Sequence, residues 1–194
     1  MFQRRNGTRQ EKRQKNGNRR IANRKSRRSI RVLRPEILED RCMFALLGIA
    51  PLDLPIIGYD ASSDAFSLSA TPLSIQTNTG SGLFFSGALN INIQVDDTGA
   101  LTGGVPVDDF VLIGDVDVDG DFIVDYSGTL LTGEVLGFGS QDSGGSTDQY
   151  DFRFSITGGA MSGLYSGKDL GVLTTSEGSS FTGDFSANFA GNAK

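Results

Sequence analysis

At 194 residues the chain is long enough for one domain with a real core plus an extension, and too short for two full domains. It holds no His, no Trp and one Cys, Cys42, which excludes an internal disulfide, a Cys/His zinc site and any triad built on histidine. The formal charge of −5 conceals a division: residues 1–41 carry 15 Lys and Arg against 4 Asp and Glu, whereas residues 42–194 carry 3 against 19.

The first segment runs through Arg4-Arg5, Arg19-Arg20, Arg24-Lys25 and Arg27-Arg28 with few apolar residues before Ile30. Like charges this dense repel and offer nothing to bury, which predicts a basic N-terminal leader that is disordered when free. An apolar stretch follows, Cys42 to Ala50, ended by Pro51 and Asp53. Nine residues suit a secretory apolar segment and fall short of the roughly 18 that span a bilayer, so no transmembrane span is expected. No clean Ala-x-Ala triplet follows, and the cut stays unlocated, with a mature start after about residue 45 as the form that export predicts. Glu39-Asp40-Arg41 before Cys42 argues against lipidation of that cysteine.

The run Leu33-Arg34-Pro35-Glu36-Ile37-Leu38-Glu39-Asp40-Arg41-Cys42-Met43-Phe44-Ala45, behind its Arg-rich leader, resembles the LEPR-XLL segment that opens many large exported proteins of planctomycete bacteria. Leu38, Glu39 and Arg41 match that pattern, Asp40 stands where its proline would be, and Met43-Phe44 replace its two leucines. The resemblance implies a leader read by export machinery and says nothing of activity. Tyr126 to Val135 and Phe154 to Gly159 are similar to stretches of uncharacterised exported proteins of the same bacteria. Two other uses of the leader stay open. A polybasic arm can bind nucleic acid by counterion release, although no aromatic residue is interleaved to stack on bases, and a transit peptide has a related composition.

From residue 60 to residue 194, short apolar alternations are broken by Gly, Asn, Asp and Ser, which predicts strands over Ala65–Ala70, Leu73–Thr77, Leu83–Val95, Phe110–Val118, Phe122–Tyr126, Thr129–Phe138, Gln149–Thr157, Ala160–Tyr165, Leu170–Thr174 and Phe181–Phe189. With no helices to carry parallel crossovers, the expected fold is all-β, an antiparallel β-sandwich or barrel, with residues 1–59 as leader, export segment and linker. Tyr150, Phe152, Phe154 and Ile156 share one face, and Phe181, Phe185 and Phe189 are expected on the core side too. Turns are expected at Asn78-Thr79-Gly80, Asp97-Thr98-Gly99, Ser143-Gly144-Gly145 and Gly158-Gly159.

One constellation could carry chemistry. Asp115, Asp117, Asp119 and Gly120, with Asp121 and Asp125 behind them, resemble the opening of a calcium loop of the EF-hand or dockerin kind, where alternate acids and a glycine gather carboxylates around the ion. The twelfth position, which should supply a bidentate Glu, is Tyr126. The competing expectation is a hairpin with a three-residue loop at Asp119-Gly120-Asp121, pairing Val118 with Phe122, Val116 with Val124, Asp117 with Ile123 and Asp115 with Asp125. The two can coexist, since a cation would relieve the repulsion of facing acids.

Without His or Trp, and with Gly-x-Ser-x-Gly, Ser-x-x-Lys and phosphate-loop motifs missing, no enzyme and no carbohydrate platform is expected. The expectation is an exported, extracellular or envelope-associated domain with a structural or interaction role. A weak calcium-binding adhesion module and an intracellular protein whose basic arm binds nucleic acid are the alternatives.

Overall fold

A computed structural model describes residues 45–77, 80–165 and 167–193. The basic leader, Cys42 and the expected Asn78-Thr79 turn lie outside the described residues. Twelve strands form one sheet: β1 (Ala45–Leu46), β2 (Gly48–Pro51), β3 (Ile56–Asp60), β4 (Ala65–Ala70), β5 (Pro72–Thr77), β6 (Gly80–Val95), β7 (Leu101–Gly104), β8 (Phe110–Asp117), β9 (Tyr126–Gln141), β10 (Gln149–Gly158), β11 (Leu170–Glu177) and β12 (Phe189–Ala193).

The sheet closes on itself. Its path runs β6, β4, β3, β12, β11, β10, β9, β8, and β8 pairs back onto β6 from Leu83↔Asp117 to Ile91↔Phe110. Every one of these pairings is antiparallel, so of the sandwich and barrel expected from the sequence the chain builds the barrel. Neighbours around the ring follow one another along the chain, with β5 and β7 set aside, which is what short turns and no crossover helices favour. Closure leaves the ring without the open edges that invite association.

Closure demands a sharp bend, and glycines supply it. Gly87, Gly114 and Gly128 sit side by side across β6, β8 and β9. Gly114 has φ 153°, and a Cβ there would lie 2.3 Å from the Ser86 carbonyl oxygen, so only glycine fits this corner.

Two-residue alternation decides which side chains fill the barrel. Phe66 and Leu68 of β4 are buried while Ser67 and Ser69 face out, and Tyr150, Phe152 and Phe154 of β10 are buried while Asp151 and Arg153 face out. An eight-stranded ring is just wide enough for side chains to fill. At one end the filling is aromatic: Phe181 lies 4.9 Å from Phe185 and 4.6 Å from Phe189, Tyr59 stacks on Phe189 at 5.2 Å, and Tyr59 Oη donates to the Val95 carbonyl at 2.9 Å. Each such ring pair adds about 0.5–1.5 kcal/mol beyond its buried area.

Several expected elements take another form. Phe181 and Phe185 are buried as expected, yet they sit on the loop between β11 and β12, and only Phe189 begins a strand. The Ala160–Tyr165 stretch is a turn leading into a short 3-10 helix, Ser162–Tyr165, whose Tyr165 is buried together with Met161. Four-residue spacing of the two buried side chains suits one helical turn and defeats strand alternation. Phe122–Tyr126 supplies only Tyr126 to a strand, and Phe122, Ile123 and Val124 stand exposed on a loop.

The sheet also takes in residues the sequence reading gave to the export segment and linker. β3 pairs with β4 and β12, while β2 pairs with β5, and β1 runs parallel to β11 at Ala45↔Leu170 and Leu46↔Gly171. β1 and β2 together close the wall between β11 and β5, with Ala45 and Leu47 buried and the Leu47 amide donating to the Gly171 carbonyl at 3.0 Å. A short apolar run cannot be told from an export segment by periodicity, and burial of alternate residues made it a strand.

Candidate metal centre

The acidic run straddles the end of β8 and the loop 118–125 that leads to β9. The hairpin is wider than expected: Val116 faces Tyr126 and Asp115 faces Ser127, so nine residues, 117–125, lie between the last facing pair instead of three. Asp117 explains the width. Its Oδ1 accepts the amides of Asp119 at 3.1 Å and Gly120 at 2.7 Å, and its Oδ2 accepts the Phe122 amide at 2.8 Å. One carboxylate thereby satisfies three loop amides that a tight turn would have sent to cross-strand carbonyls. Gly120 at φ 85° and Phe122 at φ 66° complete the winding.

The loop is laced by the same kind of bond. Asp119 accepts the Asp121 amide at 3.1 Å, Asp121 accepts the Ile123 amide at 2.8 Å, and Asp125 accepts the Val118 amide at 2.7 Å. Of the five acids expected to bind calcium, Asp117, Asp119 and Asp125 bring carboxylate oxygens within 4.8 Å of one another, Asp117 being buried and the other two exposed. Asp121 points its bonded oxygen into the loop backbone. Asp115 stands apart on the outer wall, accepting Ser127 Oγ at 2.5 Å and Ser86 Oγ at 3.2 Å, and it faces Ser127 instead of Asp125.

The electrostatics divide the trio. The Gly120 amide, aided by those of Phe122 and Asp119 and opposed by desolvation, holds the Asp117 carboxyl below the usual carboxylate range. Asp119 is lowered by the Asp121 amide, yet desolvation and the charges of Asp121, Asp125 and Asp117 together outweigh that bond and raise it. A raised carboxyl among like charges is the one a cation would relieve. Three carboxylates with water completing the shell suit a hard ion such as calcium, which takes six to eight oxygens, and the amides already on Asp117 weaken what it can offer.

Comparison with protein-family models, curated proteins and solved structures returns no match for the chain.

Elsewhere the acids do turn work. Asp60, Asp96 and Asp184 each accept the amide two residues on, and the hydroxyls and amides of Ser62, of Thr98 with Ala100, and of Ser186 hold their carboxyls low. A cavity of about 230 Å³ opens beneath β2, lined by apolar side chains including Leu47, Ile49, Leu68 and Leu89, with no titratable side chain on its walls. Among the described residues no helix is long and apolar enough to cross a membrane.

Sequence reasoning missed the buried polar residues Asp109, Asp148 and Ser176. A period-two count from Tyr150 places Asp148 on the inner face, and that signal was available. The partner on the neighbouring strand, Ser176, was not, because it lies 28 residues away.

Proposed function

We propose that the chain is an exported protein whose acidic barrel serves a structural or interaction role at the cell surface or outside the cell, without catalytic activity of its own. The observation that carries this reading is the abrupt change of material: a leader with 15 Lys and Arg in residues 1–41, then a barrel whose described residues hold only Arg153 and Lys168 as cations. The LEPR-XLL-like segment sits at the junction and supports delivery through export machinery to an envelope or extracellular partner. The strong negative charge favours solubility and opposes nucleic-acid binding by the barrel.

Mass spectrometry of the native N-terminus in fractionated cells tests this. The sequence alone put the mature start after about residue 45; with Ala45 paired to β11, the reading now predicts a processed chain in the envelope or medium that begins no later than Ala45, because a later start would strip β1 from the wall. An intact Met1 start in the cytoplasm would favour the nucleic-acid alternative.

A second reading, a weakly calcium-binding adhesion module, is favoured by the convergence of Asp117, Asp119 and Asp125. In it calcium stiffens the 118–125 loop, which displays Phe122 at 76 % exposure and Ile123 at 66 %, as a contact point for a partner.

A further inference from the structure

At the end of the barrel remote from the 118–125 loop, three polar side chains meet with too few partners. Asp148, just before β10, is fully buried, as are Tyr150 and Ser176. Asp148 and Ser176 face each other across β10 and β11: the Asp148 amide donates to Ser176 Oγ at 3.0 Å, and the Ser176 amide donates to the Asp148 carbonyl at 2.8 Å. That leaves the carboxylate. Its Oδ2 has only a 3.4 Å contact with Ser176 Oγ, its Oδ1 has no partner, and the Tyr150 hydroxyl makes no hydrogen bond of normal geometry, although the Ser179 and Ser176 side chains lie close enough to act on it.

Buried charges in proteins are paired or bind metal, and buried polar atoms are almost always satisfied. No side-chain cation of the described residues reaches Asp148. Arg153 bridges Asp169 at 3.0 Å on the outer face, and Lys168 lies just before β11 begins at Leu170, whereas Ser176 is near its other end, about 20 Å away at roughly 3.3 Å per strand residue. Further negative charge lies close by, since Asp142 acts on Tyr150 together with Asp148. Every donor atom here is oxygen, which selects a hard cation over a soft one.

We infer that the Asp148 carboxylate, with the hydroxyls of Tyr150 and Ser176, holds a hard metal cation that seals the aromatic end of the barrel. The site is separate from the acidic loop, because the two lie at opposite ends of β9, and it stands whether or not that loop takes calcium.

Terbium serves as the probe, as a hard-ion substitute for calcium, on the full chain. With no Trp present, ultraviolet-sensitised terbium emission must come through tyrosine. The inference predicts a component of the emission that persists in Asp117→Asn, is lost when Tyr150→Phe or Asp148→Asn is added to Asp117→Asn, and is displaced by calcium; emission through Tyr126 beside the acidic loop is removed by the Asp117→Asn background. A second readout separates cation binding from a merely structural carboxylate. In buffer whose only cation is a bulky organic ammonium, Asp148→Asn melts at or above the wild type, and with calcium added it melts below. Emission unchanged by Tyr150→Phe and Asp148→Asn overturns the site, and so does wild-type melting indifferent to added cations, which would mean that ordered water fills the gap.

Discussion

Asp109 accepts the amide of Val135 at 2.8 Å across 26 residues of sequence, while its other oxygen accepts the Val105 amide at 2.6 Å. This carboxylate, 1 % exposed, staples the connection between β7 and β8 to the middle of β9. A Cβ on Gly104 would lie 2.0 Å from Asp109 Oδ1, so the staple also fixes the residue beside it as glycine. Asp109→Ala leaves two amides unpaired and should cost on the order of 2–4 kcal/mol in urea unfolding, and Asp109→Asn, which keeps one acceptor, should cost less.

The N-terminal wall gives a second prediction. A chain beginning at residue 45 should melt with the full-length protein, whereas one beginning at residue 52 loses β1 and β2 and should melt lower. Leu47, 5 % exposed, anchors that wall, and Leu47→Ala should cost about 2–4 kcal/mol by chemical denaturation. Equal stability of the two truncated chains would show that β1 and β2 add nothing to the barrel.

For the acidic loop, millimolar calcium should raise the melting temperature of the wild type. The part of the shift that belongs to the loop should vanish in Asp125→Asn and survive in Asp115→Asn and Asp121→Asn, whose carboxylates lie outside the converging trio. Equal effects of all three substitutions on a calcium titration followed by thermal melting would refute the geometry.

Stability should fall at both extremes of pH. Tyr150 is raised from an ordinary value near 10 to about 12 by burial, so the folded state keeps a proton that the unfolded chain releases. Its contribution is full below pH 10 and is lost as pH rises towards 12; Tyr150→Phe should flatten that alkaline limb in a pH series of urea melts. Asp117 is lowered, chiefly by the Gly120 amide, so its contribution is present above the ordinary carboxylate range and is lost as pH falls through the folded value. Asp117→Asn should flatten the acid limb.

How much of this was legible depends on how far apart the interacting residues lie. Alternation read directly as β4 at Ala65–Ala70 and as the buried face of Tyr150, Phe152 and Phe154, because side-chain direction in a strand is a local property. At Phe181 and Phe185 the sequence told that the rings are buried and misjudged the backbone beneath them, since burial constrains a side chain without dictating a strand. In the 118–125 loop, counting facing residues favoured a tight hairpin, and a single carboxylate taking three amides decided otherwise.

By itself the sequence determined the division into a cationic N-terminal segment and an anionic all-β domain, the lack of histidine chemistry, and most of the strands, because composition and two-residue periodicity are properties of short stretches. Only the tertiary structure decided that the sheet closes through β6 and β8, that Ala45–Pro51 belongs to its wall, and that Asp148 meets Ser176 inside. Each of these is a contact between residues distant in the chain, set by how a closed sheet must be filled and sealed, and no local pattern encodes it.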